Sequence, residues 1–188
     1  YNSINFFSYL IYLLPLSLVT GPLIPEITIL VCNIFFLIKT LGEKDYSYFK
    51  NSFFKLFLVF WLLFNLSTIF SDAILYSLKY SLSYLRFGIF VLAINYLIDK
   101  NNKFIQHFYY FLFGTIIFIL LDSYFQFLFS YNILGFERPT NYIVSGFFND
   151  EEILGTYLMR LSPLLISLYF FLSDEQRLKF NSYLIYIA

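Results

Sequence analysis

The chain has 188 residues, of which 60% are hydrophobic and only 13% charged. Soluble globular domains average about 45 to 50% apolar and about 25% charged residues, so this composition predicts an integral membrane protein. Twelve basic residues balance twelve acidic ones, and this balance excludes the positive surface expected of a nucleic-acid-binding protein. The single cysteine, Cys32, excludes an internal disulfide and a cysteine-based metal site.

Six apolar stretches are long enough to cross a membrane as helices, because about 17 to 25 residues span a hydrocarbon core of about 30 Å. A seventh stretch starts near Tyr183. No linker, charge block or clear repeat divides the chain, so we expect a single transmembrane domain over residues 1–188, the N-terminal part of a longer protein. The predicted fold is an all-α, polytopic helical bundle with spans near residues 4–20, 23–41, 53–70, 79–98, 108–129 and 153–172.

Lysine and arginine accumulate in the cytoplasmic loops of membrane proteins, and this bias orients the chain. One side of the predicted bundle carries most of them, namely Lys39, Lys44, Lys50, Lys55, Lys100, Lys103, Arg177 and Lys179. The opposite side has only Lys79 and Arg138. We therefore expect a cytoplasmic N-terminus, and the longest loop, residues 130–152, is predicted to face outward.

That loop ends in residues typical of a helix start. Asn149 is a suitable N-cap, and Glu152 follows three residues later, as in a capping box. Asp150 and Glu151 place negative charge at the positive end of the predicted helix. Two interpretations remain open, because these acids either cap the sixth span only or also contribute to a site.

Three charged residues lie inside predicted spans, where each costs about 2.5 to 3.5 kcal/mol on insertion scales. At 1.5 Å per helical residue, Arg86, Asp122 and Arg160 fall at one depth, roughly 10 Å below the outer surface. Each lies on a polar stripe, since helical residues three, four or seven apart share a face. The stripes add Lys79 and Ser83 to Arg86, Thr115 and Gln126 to Asp122, and Glu152, Thr156, Pro163 and Ser167 to Arg160.

This cluster allows two interpretations. In the first, Asp122 forms a structural salt bridge with one arginine while the other extends toward the surface. In the second, two arginines and one aspartate leave surplus positive charge, and a lipid-linked phosphate neutralises it, because arginine suits bidentate phosphate recognition. His107 has no partner at metal-ligand spacing, so we interpret it as an interfacial residue and expect no metal.

A family resemblance is carried by residues 121–127 (LDSYFQF), 132–136 (NILGF) and 145–163 (SGFFNDEEILGTYLMRLSP), with weaker echoes in residues 14–22 (LPLSLVTGP) and 84–87 (YLRF). The segment 145–163 has a Ser-Gly turn, an acidic helix start, Gly-Thr-Tyr-Leu and an arginine before a proline. This order resembles the pattern of the O-antigen ligase and O-antigen polymerase superfamily of bacterial envelope glycan enzymes. The resemblance implies a membrane glycosyltransferase of about a dozen spans.

Such enzymes move a glycan from an undecaprenyl diphosphate carrier to an acceptor sugar at the periplasmic face of the bacterial inner membrane. The resemblance implies this donor, lipid A-core or a growing glycan as acceptor, contact with membrane lipids, and neither metal nor cofactor. Arg86 and Arg160 would hold the donor diphosphate, with Arg138 as a third candidate because Ile143 and Val144 replace an arginine frequent in relatives. The supporting residues would be Asp122, Gln126, Glu152 and Thr156, and the catalytic histidine is expected beyond Ala188.

Two other functions remain open. A transporter or flippase of lipid-linked sugars would also need buried cations, and it should show an inverted repeat with interrupted helices near the bilayer midplane. The sequence shows neither feature. The third hypothesis is a scaffold protein whose charged residues only pair with one another. The sequence also leaves open whether an enzyme of this kind is a ligase or a polymerase.

Overall fold

Five helices are long and apolar enough to cross a membrane in the computed structural model, which describes residues 2–140, 143–149 and 152–172. A bent pair of shorter helices raises the number to six if the pair forms one span. The described residues form helices, turns and two isolated bridges, with no strand. The prediction of an all-α chain with several helices long and apolar enough to cross a membrane is confirmed for the described residues. Arg177, Lys179 and the stretch from Tyr183 lie outside the described residues.

The helices are numbered here in chain order, and short 3₁₀ turns are left without numbers. Their bounds are α1 Asn2–Tyr12, α2 Leu14–Ser17, α3 Leu23–Glu43, α4 Ser52–Ser67, α5 Ile74–Ser83, α6 Leu85–Lys100, α7 Phe104–Phe129 and α8 Leu154–Phe171. Helices α5 and α6 together make one apolar segment, Ile74–Lys100, which begins five residues before the predicted span of 79–98. The chain divides into two compact units, Tyr1–Phe7 with Pro25–Asn101 and the described part of Ser8–Ile24 with Asn102–Ala188.

The first predicted span, residues 4–20, is a broken helix rather than a straight one. Helix α1 ends at Tyr12, and the segment from Leu14 to Thr20 continues at an angle of 45°. Pro15 explains the break, because proline lacks the backbone N–H that an uninterrupted helix would donate to the carbonyl of Ile11. The proline ring also clashes with that carbonyl, so the chain bends at this point.

In the first unit, two ion pairs join α3 to α6. Glu26 pairs with Arg86, and Glu43 lies 3.4 Å from the Nζ of Lys100. The partners keep the same order along both helices, so α3 and α6 run parallel, as alternate crossings of a membrane require. At 1.5 Å per residue, the two pairs are about 21 to 26 Å apart, close to the thickness of a hydrocarbon core of about 30 Å.

Gly88 marks a close approach between α6 and α4. A Cβ at this position would lie 2.9 Å from the Cζ of Phe57 and still closer to its Cε1. Gly88→Ala should therefore destabilise the protein by about 1 to 3 kcal/mol, the usual cost of overpacking. Gly114→Ala is the matched control, since nothing lies within 4 Å of its Cβ position. Unfolding of both variants in detergent measures the difference, and equal stabilities would contradict the packing described.

In the second unit, α7 and α8 are antiparallel. The ring of Tyr109, early in α7, lies 6.2 Å from that of Tyr169, late in α8. Near the other end, a buried apolar cluster joins α7, the loop and α8 through Ile119, Phe148, Leu154 and Tyr157. The loop between these helices is therefore held in the core of the unit rather than extended away from it.

The prediction that Asn149 and Glu152 cap the sixth span is wrong. Helix α8 begins at Leu154 with Ile153 at the N-cap position, and no side chain caps it. Asn149 instead follows the 3₁₀ turn Gly146–Phe148 with a φ of 53° and a ψ of −121°, a positive-φ conformation that is uncommon for residues other than glycine. Asp150 and Glu151 lie outside the described residues.

Candidate functional site

The loop between α7 and α8 turns back along α7. The ring of Phe147 stacks on that of Phe118 at 5.2 Å, and Phe148 packs in the cluster with Ile119. Since α7 ends at Phe129, these contacts lie about 15 Å along the helix from its end. Irregular backbone at membrane depth is stable only where protein buries it and its polar groups find partners.

Gln126 and Asn132 supply those partners, and both side chains are fully buried. The Oε1 of Gln126 accepts hydrogen bonds from the N–H groups of Ser145, at 3.0 Å, and Gly146, at 2.8 Å. Its Nε2 donates to the carbonyl of Phe136 at 3.2 Å. The Nδ2 of Asn132 donates to the carbonyl of Gly146 at 2.9 Å. The Ser-Gly turn of the family-like segment is thus fixed against α7 from both sides.

Asp122 also holds the loop. Its Oδ1 accepts a hydrogen bond from the N–H of Ile133 at 2.9 Å, and the side chain is fully buried. One interpretation of the sequence placed Asp122 in a salt bridge with an arginine. Its hydrogen-bond partner is the loop backbone, and no ion pair of Asp122 occurs among residues 2–140, 143–149 and 152–172. The loop explains this difference, because its path places the backbone N–H of Ile133 against the carboxylate of Asp122.

Gly146 lets the loop approach this polar face of α7. Its φ is 58°, and a Cβ there would lie 2.9 Å from the Oγ of Ser123. A residue with a side chain would therefore meet both backbone strain and a steric clash. The polar stripe predicted on α7, Asp122 with Gln126, is a real feature of the fold, and its contacts in the described residues are with this loop.

Arg86 has an acidic partner that the sequence did not predict. Its Nη1 lies 2.7 Å from the Oε2 of Glu26, and its Nη2 donates to Oε1 at 2.8 Å. Glu26 lies in the first turn of α3, sixty positions earlier in the chain. The Nδ2 of Asn33 donates to the carbonyl of Arg86 at 2.8 Å. The charge of Arg86 is therefore balanced within the first unit, and about a third of both paired side chains stays exposed.

Arg160 lies on a face of α8 that nothing described covers. Every residue of its predicted stripe is exposed, including Glu152, Thr156 and Ser167. In the part of the chain that the structure describes, no carboxylate pairs with Arg160. The opposite face of α8 is packed, because Tyr157 is buried and its hydroxyl donates to the carbonyl of Pro15 at 2.6 Å. Helix α8 is thus amphipathic, with its one cation on the uncovered side.

Arg160 and Asp122 lie at similar distances from the loop end of their helices. Arg160 is six residues into α8, about 9 Å along it, and Asp122 is seven residues before the end of α7, about 10 Å along that helix. Arg86 belongs to the first unit, whereas Asp122 and Arg160 belong to the second.

Arg138 lies within the loop itself. Its Nη2 donates a hydrogen bond to the Oγ of Ser130 at 2.8 Å, and Glu137 is its neighbour in the same pocket. His107, which is exposed, has its ring 6.0 Å from that of Tyr12 at the opposite end of α7. No group of three or more His, Cys, Asp or Glu residues lies close enough to hold a metal among the described residues.

An apolar groove of about 600 Å³ lies beside the loop within the second unit. Side chains from α2, α7, the loop and the residues preceding α8 line it, among them Leu16, Phe118, Phe136, Phe147 and Ile153. Thr20 and Asn149 contribute polar groups. The groove adjoins the same loop that Asp122 and Gln126 hold.

Over residues 2–140, 143–149 and 152–172, the fold is helical, with five or six helices that could cross a membrane and an irregular loop that folds back along α7 before α8 begins. No family model, curated protein or solved structure matches the chain.

Proposed function

We propose that the protein is a membrane glycosyltransferase of the O-antigen ligase or polymerase type. It moves a glycan from undecaprenyl diphosphate to an acceptor sugar, either on lipid A-core or on a growing glycan, at the periplasmic face of the bacterial inner membrane. The chain is the N-terminal part of a protein of about a dozen spans, and its N-terminus is cytoplasmic. The resemblance of residues 121–163 to this superfamily supports the proposal.

The main support for the proposal is that Arg160 is exposed on α8 and has no carboxylate partner among the described residues. A guanidinium within a membrane-crossing helix requires a compensating negative charge, and no described carboxylate supplies one. A diphosphate supplies it and matches the planar fork of arginine with two oxygens at once. Thr156 lies one turn before Arg160 on the same exposed face and can donate a hydrogen bond to the same phosphate. Glu152 lies one turn further toward the outer end, where the acceptor arrives.

Arg86 is the second donor-binding residue that the family resemblance implies. Its guanidinium makes a two-point contact with Glu26, and about a third of the side chain is exposed. The apolar groove beside the loop supports the lipid part of the proposal, since a polyprenyl carrier needs a hydrocarbon surface near its headgroup site.

The arginines act on the leaving group. In the transfer, the acceptor hydroxyl attacks the anomeric carbon, the bond from that carbon to the diphosphate breaks, and the hydroxyl proton passes to a base. The negative charge that develops on the departing diphosphate is stabilised by guanidinium groups already in place. The base is expected in a later external loop beyond Ala188, and no described residue is assigned to this role.

Donor binding tests the proposal directly. Native mass spectrometry of the full-length protein should show retained undecaprenyl diphosphate in preference to undecaprenol, which has the same chain and no charge. Arg160→Gln should remove the preference and leave the affinity for undecaprenol unchanged. If the wild-type protein binds both lipids equally, the diphosphate site does not exist.

The proposed orientation makes a separate prediction about the loops. In a Cys32→Ser background, Glu137→Cys should react with a membrane-impermeant maleimide in cells with a permeabilised outer membrane. Lys44→Cys should react only after the inner membrane is broken, because positive loops stay in the cytoplasm. The reverse pattern would show that the active face is cytoplasmic.

A transporter or flippase of lipid-linked sugars is the second candidate, and the break between α1 and α2 favours it. Interrupted helices are characteristic of transporters, whose substrate sites they form near the bilayer midplane. The 45° bend at Leu13 is such an interruption. The two candidates differ in product, since a flippase moves the donor intact and a transferase cleaves it.

A further inference from the structure

A second pocket lies in the first half of the loop, apart from Arg160 and from the apolar groove. Its volume is about 550 Å³, within the range of about 300 to 1,000 Å³ typical of ligand pockets. It is lined by Ser130, Tyr131, Gly135, Glu137 and Arg138, which all belong to one turn of the chain. None of the donor contacts proposed for Arg86 and Arg160 uses this pocket.

Asn132 fixes the shape of this turn. Its Oδ1 accepts hydrogen bonds from the N–H groups of Leu134, at 3.0 Å, and Phe136, at 2.8 Å, and the side chain is fully buried. Tyr131 and Glu137 face each other in an antiparallel bridge across the turn. Because the loop is held before any ligand arrives, little conformational entropy is lost on binding.

The pocket offers a ligand both an acceptor and donors, because Glu137 and Arg138 line it together. Glu137 can only accept hydrogen bonds when ionised, and Arg138 can only donate them. A neutral molecule with several hydroxyl groups satisfies both residues, because each hydroxyl donates to one and accepts from the other. Ser130 adds a hydroxyl that already accepts a hydrogen bond from Arg138 at 2.8 Å.

Tyr131 adds an aromatic surface to this polar set. Its side chain is 48% exposed, and its ring contacts Phe125 at 5.8 Å and Phe129 at 6.4 Å between centroids. These two rings support it from α7 and leave part of it open. A sugar ring has an apolar C–H face and a hydroxylated edge, so it can pack on the tyrosine while its hydroxyls reach Glu137 and Arg138.

We propose that this pocket binds one neutral sugar residue of the glycan that the enzyme handles. Glu137 accepts hydrogen bonds from the sugar hydroxyls, Arg138 donates to them, and Tyr131 packs against the ring. The proposal rests on the proposed function only for the origin of the sugar. It also gives Arg138 a role other than diphosphate binding.

Direct binding tests the pocket without any transfer reaction. Saturation-transfer NMR on the full-length protein in nanodiscs would use a panel of methyl hexosides and methyl N-acetylhexosaminides. At least one should bind, and Glu137→Gln and Tyr131→Ala should each weaken it by about tenfold, the cost of one lost hydrogen bond to a charged group or of comparable packing. Tyr124→Ala and Asp72→Asn are matched controls, because both residues are exposed elsewhere, and they should bind like the wild type.

Two results would overturn the proposal. One is the absence of binding by every glycoside, or binding that both pocket variants retain in full. The other is binding of inorganic pyrophosphate that Glu137→Gln strengthens, with no glycoside contact, which would show an anion site instead. Glycoside binding without any transfer activity would uphold the pocket and refute the enzyme, so the two proposals fail separately.

Transfer kinetics distinguish the two sources of the sugar. If the residue belongs to the donor glycan, Tyr131→Ala should raise the KM for the donor by about tenfold and leave that for the acceptor unchanged. If it belongs to the acceptor, the change should fall on the acceptor alone. A variant with both KM values unchanged would contradict a sugar site in this loop.

Discussion

Replacing Arg160 with alanine is expected to lower glycan transfer by about 100-fold or more, the scale of effect when one donor to a developing negative charge is removed. The protein should remain folded and inserted, because the side chain is exposed and makes no ion pair or hydrogen bond within the described residues. Arg160→Lys should also lose most of the activity, since an ammonium group cannot contact two phosphate oxygens with a planar fork.

Met159→Ala is the control for this prediction. Met159 is the preceding residue of α8, is 78% exposed, and should transfer glycan at the wild-type rate when changed to alanine. Initial rates with the full-length protein, at equal amounts of inserted enzyme, measure both variants. Wild-type transfer by Arg160→Ala would show that the exposed stripe of α8 has no part in the reaction.

Arg86→Ala should behave differently from Arg160→Ala. Its removal leaves Glu26 without the guanidinium that contacts it at 2.7 Å, so the protein should lose stability as well as activity. The double variant Glu26→Gln with Arg86→Ala should recover the stability without the activity. This pattern separates the structural and the substrate-binding contributions of the same arginine.

Gln126→Ala should destabilise the second unit strongly, because the N–H groups of Ser145 and Gly146 both lose their acceptor. Each buried donor left without a partner costs about 1 to 3 kcal/mol. Denaturant titration in detergent should show this loss, and limited proteolysis should cut the loop faster. The matched control is Gln106→Ala, at the opposite end of the same helix, where the Nε2 of the side chain donates a hydrogen bond to the hydroxyl of Tyr110. Equal stabilities of the two variants would contradict the loop structure described here.

The α7 stripe illustrates what the sequence could and could not predict. A spacing of four residues placed Asp122 and Gln126 on one helical face, and the structure has them there. Their partners could not be derived, because Ile133, Ser145 and Gly146 are brought to this face by the path of an irregular loop. A local pattern fixes the face of a helix, whereas the loop path depends on hydrogen bonds between residues 11 to 20 positions apart.

The same limit applies to Arg86. Its depth followed from counting along one helix, but its partner Glu26 is sixty positions away, and only the parallel packing of α3 and α6 brings them together. The break in the first span could have been predicted from the sequence, because Pro15 lies inside the apolar stretch of residues 4–20. Asn149 was wrongly predicted to be a helix N-cap. Asparagine is favoured at N-caps and is also enriched at positive φ, and the local sequence does not distinguish the two.

The central claim is that the protein cleaves the bond between a glycan and its diphosphate carrier. Purified full-length protein in proteoliposomes that contain undecaprenyl diphosphate-linked glycan and an acceptor tests it by chromatography of the lipid products. The account predicts that undecaprenyl diphosphate is released in step with lengthening of the acceptor, and that Arg160→Ala abolishes both. Movement of the intact donor across the bilayer, with neither free undecaprenyl diphosphate nor lengthened acceptor, would contradict the account and identify a flippase.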